Sequence, residues 1–495
     1  MPSAQHVTKT KIHILNVISL AYSVQVHSSC LCNETVALYN RHLVDRTQPT
    51  YDPQLWHHVA RQTIKYYPKN LQPVSYEDVI KCYSGGKRRL YYKAMLNVIQ
   101  NGCLKKYKYV KMFVKPDRYP SGDIRDKDPR AIQYRAPEFN LMLSRYIKAF
   151  EHYIYSTLVL DVISQTPVIA KGMNMRQRAE AIKLKSSHFN SPVYILLDHS
   201  RFDSTITKDH LKTTHKKYQK AFKSRLLQQL LNAQFSNLCF SKNGIVYRAS
   251  ATRMSGDPDT GCGNSVVNAD VLFGYVHAAG ISKYDFLLDG DDSVLIIENH
   301  DLQKAITARP IFAMFGFTTK FEYVTELNEV EFCQAKYMEL DDGPNFVRNP
   351  LRVLSHSQIS RRVEHKPLDW LAGVGMCELS LNQGVPILQE FGYQLSTLSS
   401  NPRIDHDYRW RMRGCKMRTA PAPISDHVRL QFYQAYGVDP HVQKLIEKMD
   451  LTSHVVFLQN DFKSILSTKS LYGSLSESSG SSWWCSRTNW GELFN

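Results

Sequence analysis

Between residues 190 and 325 the hydrophobic positions change period several times, and each change marks an element. Val193-Tyr-Ile-Leu-Leu is a short apolar run closed by Asp198, the pattern of a buried strand carrying an acid at its C-terminal end. From Lys208 to Phe235, Leu211, Tyr218, Phe222, Leu226, Leu230 and Leu231 recur mostly at spacings of four and seven, which predicts one amphipathic helix. Ile245 to Ser250 reads as a strand, 255–261 as a loop, and about Asn264 to Ala279 as a helix stopped by Gly280. Asp285-Phe-Leu-Leu-Asp, the turn Gly290-Asp291-Asp292 and Ser293-Val-Leu-Ile-Ile-Glu predict a β-hairpin with two carboxylates at its tip. A helix over about 301–315 and a strand around Phe317 to Tyr323 complete a β-α-β-β-α-β order, the ferredoxin-like split motif of an α/β (α+β) chain.

Composition narrows what such a chain does. Its 495 residues correspond to about three domains or one large multi-lobed body, and 43% hydrophobic residues suffice for a substantial core. No linker interrupts 26–450, whereas Ser464 to Asn495 is Ser-rich and is expected to lack packed structure. Sixty-two Lys and Arg against 45 Asp and Glu give a net charge of +17, which favours a polyanionic partner. Ten Cys are too sparse for a disulfide scaffold and predict reduced thiols in a cytoplasmic setting. The apolar stretch Ile12 to Val26 is broken by His13, Asn16, Ser19, Ser23 and Gln25, so it does not span a bilayer. His27, Cys30, Cys32 and His42 make a poor zinc set, because Cys-x-Cys lacks the usual spacing.

The candidate chemistry lies at the strand ends. Asp198 and Asp291 close strands that this element order makes neighbours, so carboxylates distant in sequence meet in space. Hard oxygen ligands of this kind suit a pair of Mg²⁺ ions, with phosphoryl transfer the matching reaction. A lone Gly-Asp-Asp is ordinarily a surface turn; its neighbours change that reading.

Leu-Leu-Asp198-His-Ser-Arg-Phe-Asp203, Ser255-Gly-Asp-Pro-Asp-Thr260-Gly-Cys-Gly-Asn264 and Leu-Asp-Gly290-Asp291-Asp292 follow one another at workable spacings. Together they resemble palm motifs A, B and C of viral RNA-dependent RNA polymerases, most closely the tombusvirus-like plus-strand group. Lys111-Met-Phe-Val-Lys115 and Pro129-Arg130-Ala-Ile-Gln-Tyr-Arg135 resemble its motif F, and Glu331-Phe-Cys-Gln334 its motif E. Gly85-Gly-Lys-Arg-Arg-Leu-Tyr and Val26-His-Ser-Ser-Cys-Leu-Cys-Asn, with Ala37-Leu and Arg41, resemble earlier fingers segments. The resemblance implies a right-hand polymerase with an N-terminal extension over 1–25, fingers over 26–190, a palm with an inserted fingers segment over 191–345, a thumb over 346–460 and a flexible tail over 461–495.

By the same resemblance Asp198, Asp291 and Asp292 hold two Mg²⁺ ions, with Mn²⁺ as a substitute. Asp203 and Asn264 recognise the ribose 2′-OH, a group that both donates and accepts. Ser255, Gly256 and Thr260 form the nucleotide-contacting motif B loop, with Gly256 valued for its backbone freedom and Pro258 a departure from the group's usual pattern. Lys111, Lys115, Arg130 and Arg135 neutralise the entering triphosphate. Lys320 donates a proton to departing pyrophosphate, with Lys304 as its competitor. Basic clusters at Arg348 to Arg362 and Arg403 to Arg418, the second interleaved with Tyr408, Trp410 and Met412, are either duplex contacts or thumb helix faces.

The expected partners are RNA template and product, ribonucleoside triphosphates, and viral or host replication proteins, at membrane-associated complexes in the host cytoplasm. Membrane contact is expected to be indirect. Two rivals stand beside this reading. A reverse transcriptase would carry an aromatic gate in place of Asp203, and a non-catalytic RNA-binding scaffold would gain nothing from carboxylates beside phosphate.

Overall fold

The computed structural model describes residues 7–8, 13–16, 24–43, 48–120, 124–360, 366–450 and 456–459. Most of the expected N-terminal extension and all of the Ser-rich tail over 461–495 lie outside the described residues. The chain is a mixed α/β protein. Strands β1 (Val110–Val114) and β2 (Ala131–Arg135) precede a long helix α1 (Pro137–Thr157) and a shorter α2 (Met175–Ser186). After β3 (Pro192–His199) come α3 (Lys208–Ala221), β4 (Ser236–Ser241), β5 (Val246–Ser250) and α4 (Thr260–Ala278). The hairpin β6 (Tyr284–Asp289) and β7 (Asp292–Glu298) leads to β8 (Thr319–Val324), then to a second hairpin, β9 (Ala335–Leu340) and β10 (Gly343–Arg348). Helices α5 (Pro367–Leu381), α6 (Leu388–Ser396) and α7 (Asp426–Tyr436) dominate the remainder.

Two four-stranded sheets organise the site. The first is fully antiparallel in the order β6-β7-β3-β8. Strands β3 and β7 are apolar on both faces, which is why they read as continuous hydrophobic runs rather than alternating ones. Val193, Ile195, Leu197, Leu295 and Ile297 face the largest core with Val266, Val267 and Val271 of α4. Tyr194, Leu287, Val294 and Ile296 pack on the other side against Ala179 and Ile182 of α2 and Phe332. Helix α4 is buried on every side from Cys262 to Val276, as a helix apolar all round must be. The second sheet has the order β2-β1-β4-β5, with β1 and β4 parallel and the other pairs antiparallel.

A separate core joins α5, α6 and α7 to the β9-β10 hairpin. The hairpin serves two cores, because Met338 and Val347 enter this one while Tyr337 and Phe346 enter the core beneath the first sheet. The boundary expected at 345/346 therefore falls inside a strand.

Some elements differ from the sequence pattern. The helix expected over 208–235 is two helices, since α3 ends at Ala221 and Ser224 caps a new one at Arg225–Asn232 by accepting the Leu227 N–H at 3.2 Å. The apolar spacing continues across the break because both segments face one core. The helix expected over 301–315 is likewise interrupted, and restarts at Pro310, whose missing N–H suits a first turn. Helix α4 begins at Thr260, four residues early. Cys30 accepts the Asn33 N–H at 3.4 Å and caps the helix Leu31–Ala37. Among the described residues no helix is long and apolar enough to cross a membrane.

Two buried ion pairs brace the first sheet. Lys217 of α3 meets Asp270 of α4, which also accepts from Thr63 Oγ1 at 2.7 Å. Lys185 of α2 donates to Asp285 of β6 at 2.7 Å, both side chains being fully buried, and Asp285 also accepts the Ser164 and Phe286 N–H groups. Burial drives the Lys185 pKa down while Asp285 opposes it. Removing one partner of such a pair strands a charge, so Asp285→Asn is expected to lower the unfolding free energy by about 3–5 kcal/mol. Denaturant unfolding of the full chain measures this, and a loss below about 1 kcal/mol would contradict it.

Candidate active site

The register of the first sheet assembles the acids. Asp198 near the end of β3 lies directly opposite Asp292 on β7 and opposite Lys320 on β8, and Asp292 lies opposite Asp289 on β6. Cross-strand partners project to one face, so Asp289, Asp292, Asp198 and Lys320 form a row across four strands. Asp291 sits in the two-residue turn with Gly290, whose φ of +70° is a conformation glycine adopts without strain. Helix α4 grips this turn. The Gly290 N–H donates to Ser265 Oγ at 3.3 Å and the Gly290 carbonyl accepts from Asn268 Nδ2 at 2.9 Å. Behind them His199 is pushed down to about 4 by burial and is therefore neutral. Its Nε2–H donates to Asn268 Oδ1 at 3.1 Å, which leaves Nδ1 to accept from Thr319 Oγ1 at 2.8 Å.

The acids repel one another. Burial, then Asp291, Asp198 and Asp289, push Asp292 up to about 7. Burial also raises Asp291, with Asp203 and Asp198 adding to it and Arg130 opposing. Asp289 behaves differently: burial would raise it, but Lys171 at 2.7 Å and Arg178 at 2.5 Å outweigh that and hold it below the usual carboxylate range. Among the described residues no three His, Cys, Asp or Glu side chains converge into a metal cage. The donor set nonetheless fits Mg²⁺, which is held by one or two carboxylates together with substrate phosphates and needs no protein cage. A cation there would relieve the repulsion that raises Asp291 and Asp292.

Asp203 and Asn264 are brought together. Asn264 Nδ2 donates to Asp203 Oδ1 at 2.7 Å, and Arg253 Nε donates to Asn264 Oδ1 at 3.1 Å. Arg253 is buried and also binds Asp259 at 2.8 Å. Burial raises the Asp203 pKa, and Asn264, Arg253, Arg130 and Lys115 counter it. Gly263 is required beside this guanidinium, since a Cβ there would lie 2.5 Å from Arg253 Nη2.

The Ser255–Thr260 loop is stitched to β2. Ser255 Oγ accepts the Gln133 N–H at 3.2 Å and donates to the Ala131 carbonyl at 3.3 Å, and the Gly256 N–H donates to the Gln133 carbonyl at 2.7 Å. Thr260 Oγ1 donates to the Met254 carbonyl at 2.9 Å. Gly256 has no left-handed φ, contrary to the freedom expected of it; a Cβ would lie 2.7 Å from the Gln133 oxygen and from Tyr134 Cβ, so it is glycine for close approach.

The four basic residues on and immediately beside β1 and β2 divide. Lys115 and Arg130, both on Asp117 at 3.1 and 3.5 Å, act electrostatically on Asp203, and Arg130 also acts on Asp291. Lys111 lies four residues back along β1 and lines a recess of about 550 Å³. Arg135 departs from the triphosphate role expected of it. It is 1% exposed, pairs with Asp257 at 3.0 Å, and donates to Asn237 and to the Lys108 carbonyl, so it anchors the loop from inside.

Lys320 is exposed and paired with Glu322 at 2.9 Å, which together with Asp198 raises its pKa. Lys304 pairs with Asp301 at 2.7 Å on another element. In the later basic clusters Arg348 binds buried Glu378, Tyr408 and Met412 enter the C-terminal core, and Trp410 stays 63% exposed under Arg413; residues 361 and 362 lie outside the described residues. Sequence reasoning missed Arg253, the Asp289–Lys171–Arg178 cluster and the His199–Asn268 relay. Only the acid run Asp289-Gly-Asp-Asp signalled in advance that a counter-cation was needed.

The comparisons agree with this geometry. Residues 1–454 match the sequence profile of a family described as viral RNA dependent RNA polymerase. Among similar proteins, the RNA-directed RNA polymerase of Carnation mottle virus is 29% identical over 462 residues, 88% of this chain and 60% of the relative. That of Tobacco necrosis virus (strain A) is 29% identical over 421 residues, 82% and 56% respectively, and that of Groundnut rosette virus (strain MC1) 30% over 389 residues, 76% and 46%. The chain thus spans about half to three-fifths of the length of these relatives. With a match over nine-tenths of its length and paired acids at the ends of adjacent strands, the chain belongs to the viral RNA-dependent RNA polymerase family.

Proposed function

We propose that the chain extends an RNA 3′-OH by templated addition of ribonucleoside monophosphates, in replication of a tombusvirus-like plus-strand genome. The 3′-oxygen bonds to the α-phosphorus, and the bond to the pyrophosphate leaving group breaks. The observation that carries this reading is the register of Asp198 against Asp292, with Asp291 in the adjoining turn. In this reading the first sheet is the palm, its strands following the ferredoxin-like order, and the second sheet belongs to the fingers. The helices beyond Arg348 form the thumb.

Asp198, Asp291 and Asp292 would hold divalent ions, Mg²⁺ or Mn²⁺. When bound, such ions supply positive charge to the attacking and leaving oxygens. The chain's own groups do the rest. Arg130 and Lys115 neutralise the triphosphate, and Asp203 with Asn264 orients the ribose 2′-OH. Ser255, Gly256 and Thr260 shape the floor on which the nucleotide rests. Glu322 keeps Lys320 Nζ protonated opposite Asp198, where that proton is available to pyrophosphate. RNA template and product, ribonucleoside triphosphates, and viral or host replication proteins are the proposed partners, at membrane-associated complexes in the host cytoplasm.

Primer extension and unprimed synthesis on a defined RNA template with labelled ribonucleotides test this. Wild-type chain is expected to give template-length product. Asp291→Ala/Asp292→Ala should abolish it while RNA affinity stays within about twofold, because substitution removes catalysis rather than phosphate contacts. RNA binding without product from wild type would favour the scaffold reading. Asn264→Ala is expected to erode discrimination against deoxynucleotides by about tenfold, the size of one lost polar contact. Intact synthesis with unchanged discrimination would remove Asn264 from that role.

A further inference from the structure

Two cations converge on Asp289, one more than a carboxylate needs for neutrality. Lys171 Nζ donates to its Oδ1 at 2.7 Å and Arg178 Nη2 to its Oδ2 at 2.5 Å, so both oxygens are occupied. Among the described residues no lysine or arginine forms an ion pair with Asp198, Asp291 or Asp292, and Lys320, the cation of the same row, is held by Glu322. The excess of positive charge therefore sits at the acid farthest along the row from Lys320.

Three elements build this arrangement. Residues 168–170 run beside β6, the Ala170 N–H donating to the Leu288 carbonyl at 2.8 Å and the Leu288 N–H to the Val168 carbonyl at 2.9 Å, so Lys171 emerges next to Asp289. Gly261, in the first turn of α4, leaves room for it, since a Cβ there would lie 2.8 Å from Lys171 Cε. Arg178, in the first turn of α2, is 11% exposed; its Nε donates to the Met173 carbonyl at 3.2 Å and its guanidinium lies over the Phe332 ring, 5.6 Å from the centroid. Backbone bonds already fasten 168–170 to β6, so the segment does not need both cations to stay in place. Asp289 faces Asp292 directly across the hairpin, and side chains so paired, with Cβ atoms about 5 Å apart, can reach a common cation.

We propose that Lys171 and Arg178 form a clamp that withholds Asp289 from the divalent ions and thereby makes the site select Mg²⁺ over Ca²⁺. The inference rests on the proposal that Asp198, Asp291 and Asp292 hold those ions. Mg²⁺ is bound through one or two carboxylates, keeps several waters and takes substrate phosphates as ligands, whereas Ca²⁺ gathers more oxygens in a looser shell and binds more tightly as carboxylates are added. A freed Asp289 beside Asp292 would be that added ligand. Clamped, it leaves the shell open to water and phosphate. Lys171 and Arg178 are positioning residues, acting on the ions through Asp289.

The electron paramagnetic resonance signal of free Mn²⁺ over the full chain, with Ca²⁺ and Mg²⁺ as separate competitors, measures both affinities without turnover. Lys171→Met is expected to raise Ca²⁺ affinity about tenfold and Mg²⁺ affinity by about twofold or less, the pattern of one added carboxylate ligand. Arg178→Gln should move the ratio in the same direction. Lys171→Met/Asp289→Asn should return the ratio to that of wild type, because the freed ligand is gone. An equal gain for both ions overturns the proposal, since the loss of a positive charge alone attracts them alike. So does an unchanged ratio in both single variants. If wild type makes RNA and Asp291→Ala/Asp292→Ala releases Mn²⁺ while the ratio stays fixed in Lys171→Met and Arg178→Gln, only the clamp fails. If wild type makes no RNA but the ratio shifts and reverts as stated, the clamp stands and the polymerase reading falls.

Discussion

The structure is arranged around an unfavourable pairing. Antiparallel register sets Asp198 against Asp292, and like charges directly opposite one another weaken a sheet. The row holds because its strands have no freedom to slip. Moving β3 by one residue against β7 would exchange the residues facing α4 for those facing α2, and both faces are apolar and packed. Stability gained deep in the sheet thus fixes a repulsive arrangement at its rim. The same logic explains the surrounding cations. Lys171 and Arg178 neutralise Asp289 and remove a fourth negative charge from the row, while Arg130 and Lys115 approach from the other sheet.

The polar groups behind the acids serve that placement. Helix α4 carries Asn264, Ser265 and Asn268 within two turns, and these reach Asp203, the Gly290 N–H and the Gly290 carbonyl. One helix therefore sets the spacing between the Asp203–Asn264 pair and the turn that holds Asp291. Neutral His199 completes the brace, since only an uncharged imidazole can donate to Asn268 and accept from Thr319 at once.

What the sequence disclosed was local. Val193 to Asp198 and the Gly-Asp-Asp hairpin are legible because a buried strand and a tight turn are written in adjacent residues. The meeting of Asp203 with Asn264, 61 positions apart, came from motif order alone. The fate of Arg135 was hidden, because an arginine on a strand looks the same in sequence whether its guanidinium meets a phosphate or Asp257. The break at Ser224 was hidden too, since a cap and a solvated serine share one letter and the hydrophobic spacing ran through it. Gly256 was identified for the wrong property: nothing local announces that Gln133 passes 2.7 Å from where a Cβ would be.

That close approach has a mechanical consequence. The segment that follows β5 is bonded through Ser255 and Gly256 to the edge of β2, and Arg135 of the same strand holds Asp257. Strand β2 also carries Tyr134 on its half-buried face and begins one residue after Arg130. A shift of the loop must either break the bond to Gln133 or carry β2 with it. Loop and strand are thus yoked like a pawl to its wheel, and one displacement reaches the cations and the sheet face in a single stroke.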